Sequence, residues 1–427
     1  EKYDMDKEAD SDQASNASDN SNANGSDREY IPQDYRFETS DGIISSDSDF
    51  EDLIDRMIPV NRGKSKKVLA KIDAKGLRDP QRRQKVIDGF ARDLANVIDL
   101  VAYQTMIDSA SMVQTSASAF DYQQAIDAET LMLNRGFGAY DKKLFLSNRD
   151  YSKVAKDLGQ NQYYGRDGVP LDALSRAKIP DLATFDTMRS DYLLSLPAPT
   201  PAALTITSDQ AHTVETYDAN GFYLDNRTMN LAVTGSTPAT MPVGTKFTIP
   251  GVNYLHPETR VDSGDAQTFT VTQTGTGSVV IQTAIVVDGP YRNCSAQALT
   301  GADVTVLNIA ESKPSLFYTP ESTVLVPGRL PVPADAASVT QIDAMTEQGL
   351  PMRMTYTYDF HKEEFLMKGL VYFDVQVVYP DQLGITLSNQ ASYYLIELLI
   401  KLSKRLRSLF LFGVKENEAY LQSWWRA

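Results

Sequence analysis

Residues 79–109 read DPQRRQKVIDGFARDLANVIDLVAYQTMIDS, and the rest of the chain is organised around them. Asp79 supplies an N-cap oxygen, and Pro80 has the preset φ of a first helical residue. Val86, Ile87, Phe90, Leu94, Val97, Ile98 and Val101 then recur at three- and four-residue spacing, which is one face of a helix. The pattern predicts a helix to Ser109, roughly 45 Å long at about 1.5 Å per residue. Such a length is unusual for a globular helix.

Downstream, a second helix is predicted from Asp121 to Asn134, stopped by Gly136. A strand, Lys143 to Ser147, leads into a third helix with Asn148 as N-cap and Gly159 after it. Leu196-Pro-Ala-Pro-Thr-Pro201 is a stiff linker. From Ala203 to about Asn308 the chain turns Thr-, Val- and Gly-rich, with short alternating runs at 229–234, 245–249, 267–272 and 278–282. Asn220-Gly221, Pro250-Gly251 and Gly275-Thr-Gly277 are the turn signals between them. Strands at this spacing predict a small all-β barrel or sandwich. Mixed α/β character returns with strands at 323–326, 352–360 and 370–378, so a β module is inserted into a mixed host.

Upstream, residues 1–27 are Asp-, Ser- and Asn-rich with almost no large apolar groups, and they are expected to be disordered when free. Residues 28–60 read as an extended loop or ribbon. Residues 1–60 hold 17 acids against 5 bases, a net −12, while the whole chain of 427 residues carries −15. The body is therefore nearly neutral and has no basic face for tight duplex DNA binding. The acidic segment suits a basic partner. At the other end, 391–427 carries six bases and three acids, and Leu395, Leu398, Leu399, Leu402, Leu406 and Leu409 form one helical stripe. Docking on its own or a neighbouring subunit is favoured for that stripe over a membrane surface.

Catalytic chemistry is not legible. The single cysteine, Cys294, excludes an intramolecular disulfide framework and a Cys-based zinc site, which suits a reducing compartment. Three histidines lie far apart, and His361-Lys-Glu-Glu364 lacks the spacing of a zinc protease helix. The acid run Asp47, Asp49, Glu51, Asp52 lacks the glycine and the terminal glutamate of a calcium loop. Gly-x-Ser-x-Gly, Walker and dinucleotide fingerprints do not occur, nor does an early apolar signal or an 18-residue apolar run. The expectation is a protein without catalytic, metal or cofactor residues.

Several segments together resemble a known family. Leu77-Arg-Asp-Pro-Gln-Arg-Arg83 with Arg92-Asp-Leu-Ala-Asn-Val97 resembles the spine helix of tailed-phage coat proteins. Leu144-Phe-Leu-Ser-Asn-Arg-Asp-Tyr-Ser-Lys153 and Tyr164-Gly-Arg166 are similar to the strand–helix segment of podovirus coat proteins with an inserted β domain. Gly244 to Tyr254 and Ala266 to Val271 look like two strands of that insertion, and Lys313-Pro-Ser-Leu-Phe-Tyr318 resembles the return into the host domain. The ordered series spans roughly 28–388; residues 1–27 and those after about 388 depart from it.

The resemblance implies an α+β Hong Kong-phage-type capsid fold. Its parts would be an N-arm (1–27), an extended loop (28–60), and a peripheral domain (61–120 and 361–390) with spine helix 80–109. An axial domain (121–201 and 309–360), an inserted small all-β barrel (202–308) and a basic amphipathic tail (391–427) complete it. It further implies a major capsid protein that self-assembles into hexameric and pentameric capsomers of an icosahedral shell around double-stranded DNA. The protein would be assembled in the host cytoplasm with a scaffolding protein and a portal protein, touch packaged DNA non-specifically, and have no membrane role. Within residues 216–227, Asp218, Asp225 and Arg227 are expected to form reciprocal pairs across a local two-fold axis. Asp47, Asp49, Glu51 and Asp52 are expected to meet the scaffold or another partner. The rival readings are a surface-binding or adhesion protein whose β module recognises a ligand, and an enzyme with an unfamiliar site.

Overall fold

The computed structural model describes residues 28–37, 53–61, 64–73, 80–160, 179, 182–192, 194–217, 221–328, 340–346, 348–359 and 364–390. The chain begins with strands β1 (Arg28–Pro32), β2 (Met57–Asn61) and β3 (Ser65–Asp73), then helix α1 (Pro80–Ser109). Strand β4 (Met112–Thr115), helix α2 (Tyr122–Asn134), strand β5 (Lys142–Ser147), helix α3 (Asn148–Gln160) and strand β6 (Phe185–Ser190) follow. Next come β7 (Thr205–Ile206), β8 (Thr228–Thr234), β9 (Lys246–Leu255), β10 (Asp262–Thr274), β11 (Ser278–Gln282) and β12 (Thr305–Val306). The last six strands are β13 (Ser315–Tyr318), β14 (Thr323–Gly328), β15 (Thr340–Met345), β16 (Pro351–Asp359), β17 (Glu364–Val377) and β18 (Leu383–Leu387). The fold is mixed α+β and divides into two compact units. Helix α1 occupies the span that its apolar spacing predicts.

The first unit holds, among the described residues, those of 28–31, 59–99 and 325–376. Its sheet runs β14-β17-β16-β15, with β3 also paired to β17. The proposed division at 360/361 falls inside the β16–β17 hairpin, whose ladder runs unbroken from Asp359–Glu364 to Met352–Val371. Those hydrogen bonds keep β16 with β17 rather than with the sheet of β5. Helix α1 crosses this sheet with Phe90, Leu94 and Ile98 buried. Gly369 permits the approach: a Cβ there would lie 3.0 Å from Phe90 Cδ2 and 3.5 Å from Leu94 Cδ1. Gly369→Val should therefore cost about 1–3 kcal/mol by overpacking. Denaturant unfolding checks this, with Gly369→Ala expected to lose less. The buried Asp374 carboxylate accepts from Lys64 Nζ (2.7 Å), Asn61 N (3.0 Å) and Gln376 Nε2 (2.7 Å), tying the end of β2 and the residue before β3 to the sheet.

The second unit holds the described residues of 32–58, 100–324 and 377–390. One sheet, β4-β18-β13-β5-β6, has β13 antiparallel to both neighbours and parallel pairs at its two ends. Alternation gives it two apolar faces. Leu144, Leu146 and Phe317 pack with Ala125, Ala128 and Met132 of α2 and Val154 of α3. On the other face, Leu316, Leu383 and Ile385 meet Tyr103, Met106 and Ile107 of α1. Helix α2 starts and stops as predicted, with Asp121 Oδ1 accepting from Gln124 N (3.1 Å) and Gly136 at φ +85°. Helix α3 differs by one residue at its start and runs through Gly159. The Ser147 hydroxyl already accepts from Asp150 N (3.3 Å), so Asn148 is the first helical residue and not the cap.

The β module is a six-stranded antiparallel sheet, β12-β9-β10-β11-β8-β7. Its two outer ends meet: Ile206 N donates to Ala302 O (3.0 Å) and Val304 N to Leu204 O (2.9 Å). Leu231, Val233, Phe247, Ile249, Phe269, Val271 and Ile281 fill the interior. Pro250-Gly251, expected as a turn, lies inside β9 instead. Gly251 takes φ +82° and the β9–β10 register slips nearby, so the signal marks an irregularity that returns Val252 to the core.

Candidate inter-subunit site

The described residues of 210–227 are pinned from within. Asn226 Nδ2 donates to Glu215 O (2.9 Å), Glu215 N donates to Asn226 Oδ1 (3.3 Å), and His212 Nε2 lies 3.1 Å from the same oxygen. Farther out, the rings of Tyr217 and Tyr223 pack with centroids 5.0 Å apart. At the base, Arg227 Nε and Nη2 donate to the two oxygens of Asp225 at 2.8 and 2.7 Å. Arg227 Nη1 donates to Val377 O, and the Arg227 carbonyl accepts from Thr283 N and Ala284 N. Asp225 and Arg227 are thus brought together in one chain, with side chains 24% and 9% exposed. Asp218 lies outside the described residues, as do Asp47, Asp49, Glu51, Asp52, residues 1–27 and residues 391–427.

A cavity of about 710 Å³ opens beside this base, lined in part by Arg36, Arg56, Arg227, Tyr291, Tyr379 and Asp381. Arg56 stacks over Tyr291 at 4.8 Å from the ring centroid, and burial, reinforced by Arg36, pulls its pKa below the usual arginine value. Burial pushes the Tyr379 hydroxyl up to about 12. Tyr35 donates to Asp55 (2.6 Å), and this bond raises its pKa. Arginines and carboxylates share the wall, so no field of a single sign selects a small ion.

Among the described residues no group of three metal-capable side chains converges, and no helix is long and apolar enough to cross a membrane. Cys294 is buried, and burial pushes its thiol well above the ordinary range, which disfavours the nucleophilic thiolate. Residues 361–363 lie outside the described set; Glu364 opens β17 with Lys71 Nζ at 3.8 Å. The sequence pattern does not single out Arg135 and Lys246, the two most deeply buried cations among the described residues. Arg135 lies over Tyr254, 4.4 Å from its ring centroid, just after α2. Lys246 heads β9.

The sequence model of one family, described as "P22 coat protein - gene protein 5", matches residues 1–389. Among solved structures, the chain is similar to a CUS-3 coat protein I-domain at 34% identity, over 26% of this chain and 98% of that one, with a TM-score of 0.22. A Mycobacterium phage Che8 structure matches at 10% identity over 86% of each chain, with a TM-score of 0.42. The asymmetric unit of the bacteriophage PhiM1 mature capsid matches at 10% over 85% and 82%, with a TM-score of 0.41.

Proposed function

The chain belongs to the P22 coat protein family and is a tailed-phage major capsid protein, and from that premise we propose how it builds and fills its shell. The subunits self-assemble into the hexameric and pentameric capsomers of an icosahedral shell enclosing double-stranded DNA, with a Hong Kong-phage-type fold. The match over residues 1–389 carries this reading. The module at 202–308 is the inserted barrel, a reading supported by the hydrogen bonds that join its ends at 204–206 and 302–304. Strands β16 and β17 belong together in the peripheral domain. Expression with and without a scaffolding protein, followed by gel filtration and negative-stain microscopy, tests the proposal. Shells or capsomers are expected; a stable monomer with saturable ligand binding would favour an adhesion role.

Assembly takes place in the host cytoplasm with a scaffolding protein inside the shell and a portal at one vertex, while packaged DNA is touched without sequence preference. The first 60 residues, at −12, meet a basic surface of the scaffold. Exposed charges are screened beyond about 10 Å at 0.1 M salt, so scaffold retention should fall as salt rises. Deleting residues 1–27 should lower retention at low salt and flatten that salt dependence, as measured by scaffold content of purified procapsids. Loss of shell integrity with scaffold retained would instead favour pairing of the acidic arm with the basic segment 391–427. The loop 216–227 contacts a second copy across a local two-fold axis through Asp218, with Asp225 and Arg227 at its base.

A further inference from the structure

The last four carbonyls of an α-helix lack intrahelical partners, and proteins usually satisfy them with a following glycine or a basic residue in the last turn. Helix α1 has neither. Its final turn holds no basic residue and contains Asp108, whose charge opposes the helix dipole, and Ala110 and Ser111 lead directly into β4. Ala110 N reaches Ile107 O at 3.4 Å, and the β module, more than a hundred residues away in sequence, adds donors to two of the last four carbonyls and to the two that follow the helix. Lys246 Nζ donates to Ile107 O at 2.7 Å and to Ala110 O at 3.1 Å, with Asp108 O at 3.4 Å. Thr270 Oγ1 lies 2.8 Å from the same ammonium and donates to Ala110 O at 2.7 Å. Thr268 Oγ1 donates to Ser111 O.

This lysine is fully buried, and burial draws its pKa from 10.5 to about 7 against the opposing pull of Asp108. Placing it there is costly unless its donors are used. The same position is tied to the module's attachment. Lys246 N donates to Asn308 Oδ1 (3.0 Å), and Asn308 Nδ2 donates to Pro197 O (3.1 Å), joining the two chain crossings into the module. Gly244, at φ +86°, lets the preceding loop approach: a Cβ there would lie 3.3 Å from Asp108 Oδ1.

We propose that the inserted β module is the C-terminal cap of the long helix, with Lys246, Thr268 and Thr270 as its positioning residues. The last turn of α1 packs through Met106 and Ile107 on the β18–β13 sheet, and the docked module completes its hydrogen bonds. Module attachment and helix length are then one cooperative switch, and any rearrangement that lifts the module frays residues 106–111. The inference rests on the contacts alone and stands whether or not the chain closes an icosahedral shell.

Hydrogen–deuterium exchange on the full chain tests it, comparing Lys246→Met, which keeps the volume and removes the donors, with the parent. Exchange across 104–112 is expected to rise about tenfold or more, while 84–98 and 228–234 stay within about twofold, since a lost cap frays only the adjoining turn. Unchanged exchange at 104–112, or an even rise through helix and module, would overturn the proposal. Should Lys246→Met fail to fold, Thr270→Val removes one donor at nearly constant shape. The same local signature at smaller size supports the cap, and its absence rejects it.

Discussion

Gly384→Ala is expected to destabilise the second unit strongly and to lower its melting temperature. Gly384 sits in β18, whose five residues are all buried, directly across from Phe317 of β13. The Phe317 ring lies over the glycine, and a Cβ at 384 would fall inside the van der Waals surface of that ring. The ring cannot move aside freely, because Phe185 packs edge-on at 6.3 Å and the α2–α3 layer covers it. A methyl placed there must shift β13 or β18 at the centre of a sheet covered on both faces. The cost is about 3 kcal/mol or more, at the upper end of overpacking effects. Soluble yield and thermal unfolding of the subunit measure it. Phe317→Leu, which removes the ring, should restore part of the stability in the Gly384→Ala background although it is destabilising alone. A parental melting temperature for Gly384→Ala would refute the packing argument.

Nothing in the sequence around Gly384 foretells this, and the reason is physical. A glycine matters through what fills the space of its absent side chain, and that partner is 67 positions away. Helix α1 was legible because its signal is local: a cap, a proline and a three-four spacing lie within one segment. The same holds for Asp121 and Gly136 around α2. In β9 the alternation visible at 245–249 puts Phe247 and Ile249 inside the module and Lys246 on the opposite face. Outward from the module, however, is inward for the unit, because that face of β9 meets the end of α1. Local patterns report which face a side chain takes and cannot report what covers that face. The hairpin joining β16 to β17 likewise cuts across the 360/361 division that the family resemblance implies, since strand pairing and not residue type assigns β16 to its sheet.

The charges of the 216–227 loop carry the second large effect. From the sequence and its resemblance, Arg227 is expected to pair with a second subunit across a two-fold axis. Its position in the fold gives a different expectation. The guanidinium is nearly enclosed, both Asp225 oxygens accept from it, and Val377 O takes its remaining arm. Arg227→Glu would face one carboxylate with another and leave Val377 O without its donor. Breaking a buried, hydrogen-bonded pair costs about 3–5 kcal/mol, and at about 2–4 °C per kcal/mol for a unit of this size the melting temperature should fall by roughly 10 °C. Arg227→Met should lose less, because Asp225 keeps some contact with water. Asp218→Lys, which alters the loop but not this pair, is expected to leave the melting temperature unchanged and to reduce assembly. The decisive comparison is differential scanning calorimetry of unassembled subunits beside shell yield for all three variants. A parental melting temperature for Arg227→Glu with failed assembly would move the pair back to the interface between subunits, whereas unfolding before assembly places it, as the geometry does, within the chain.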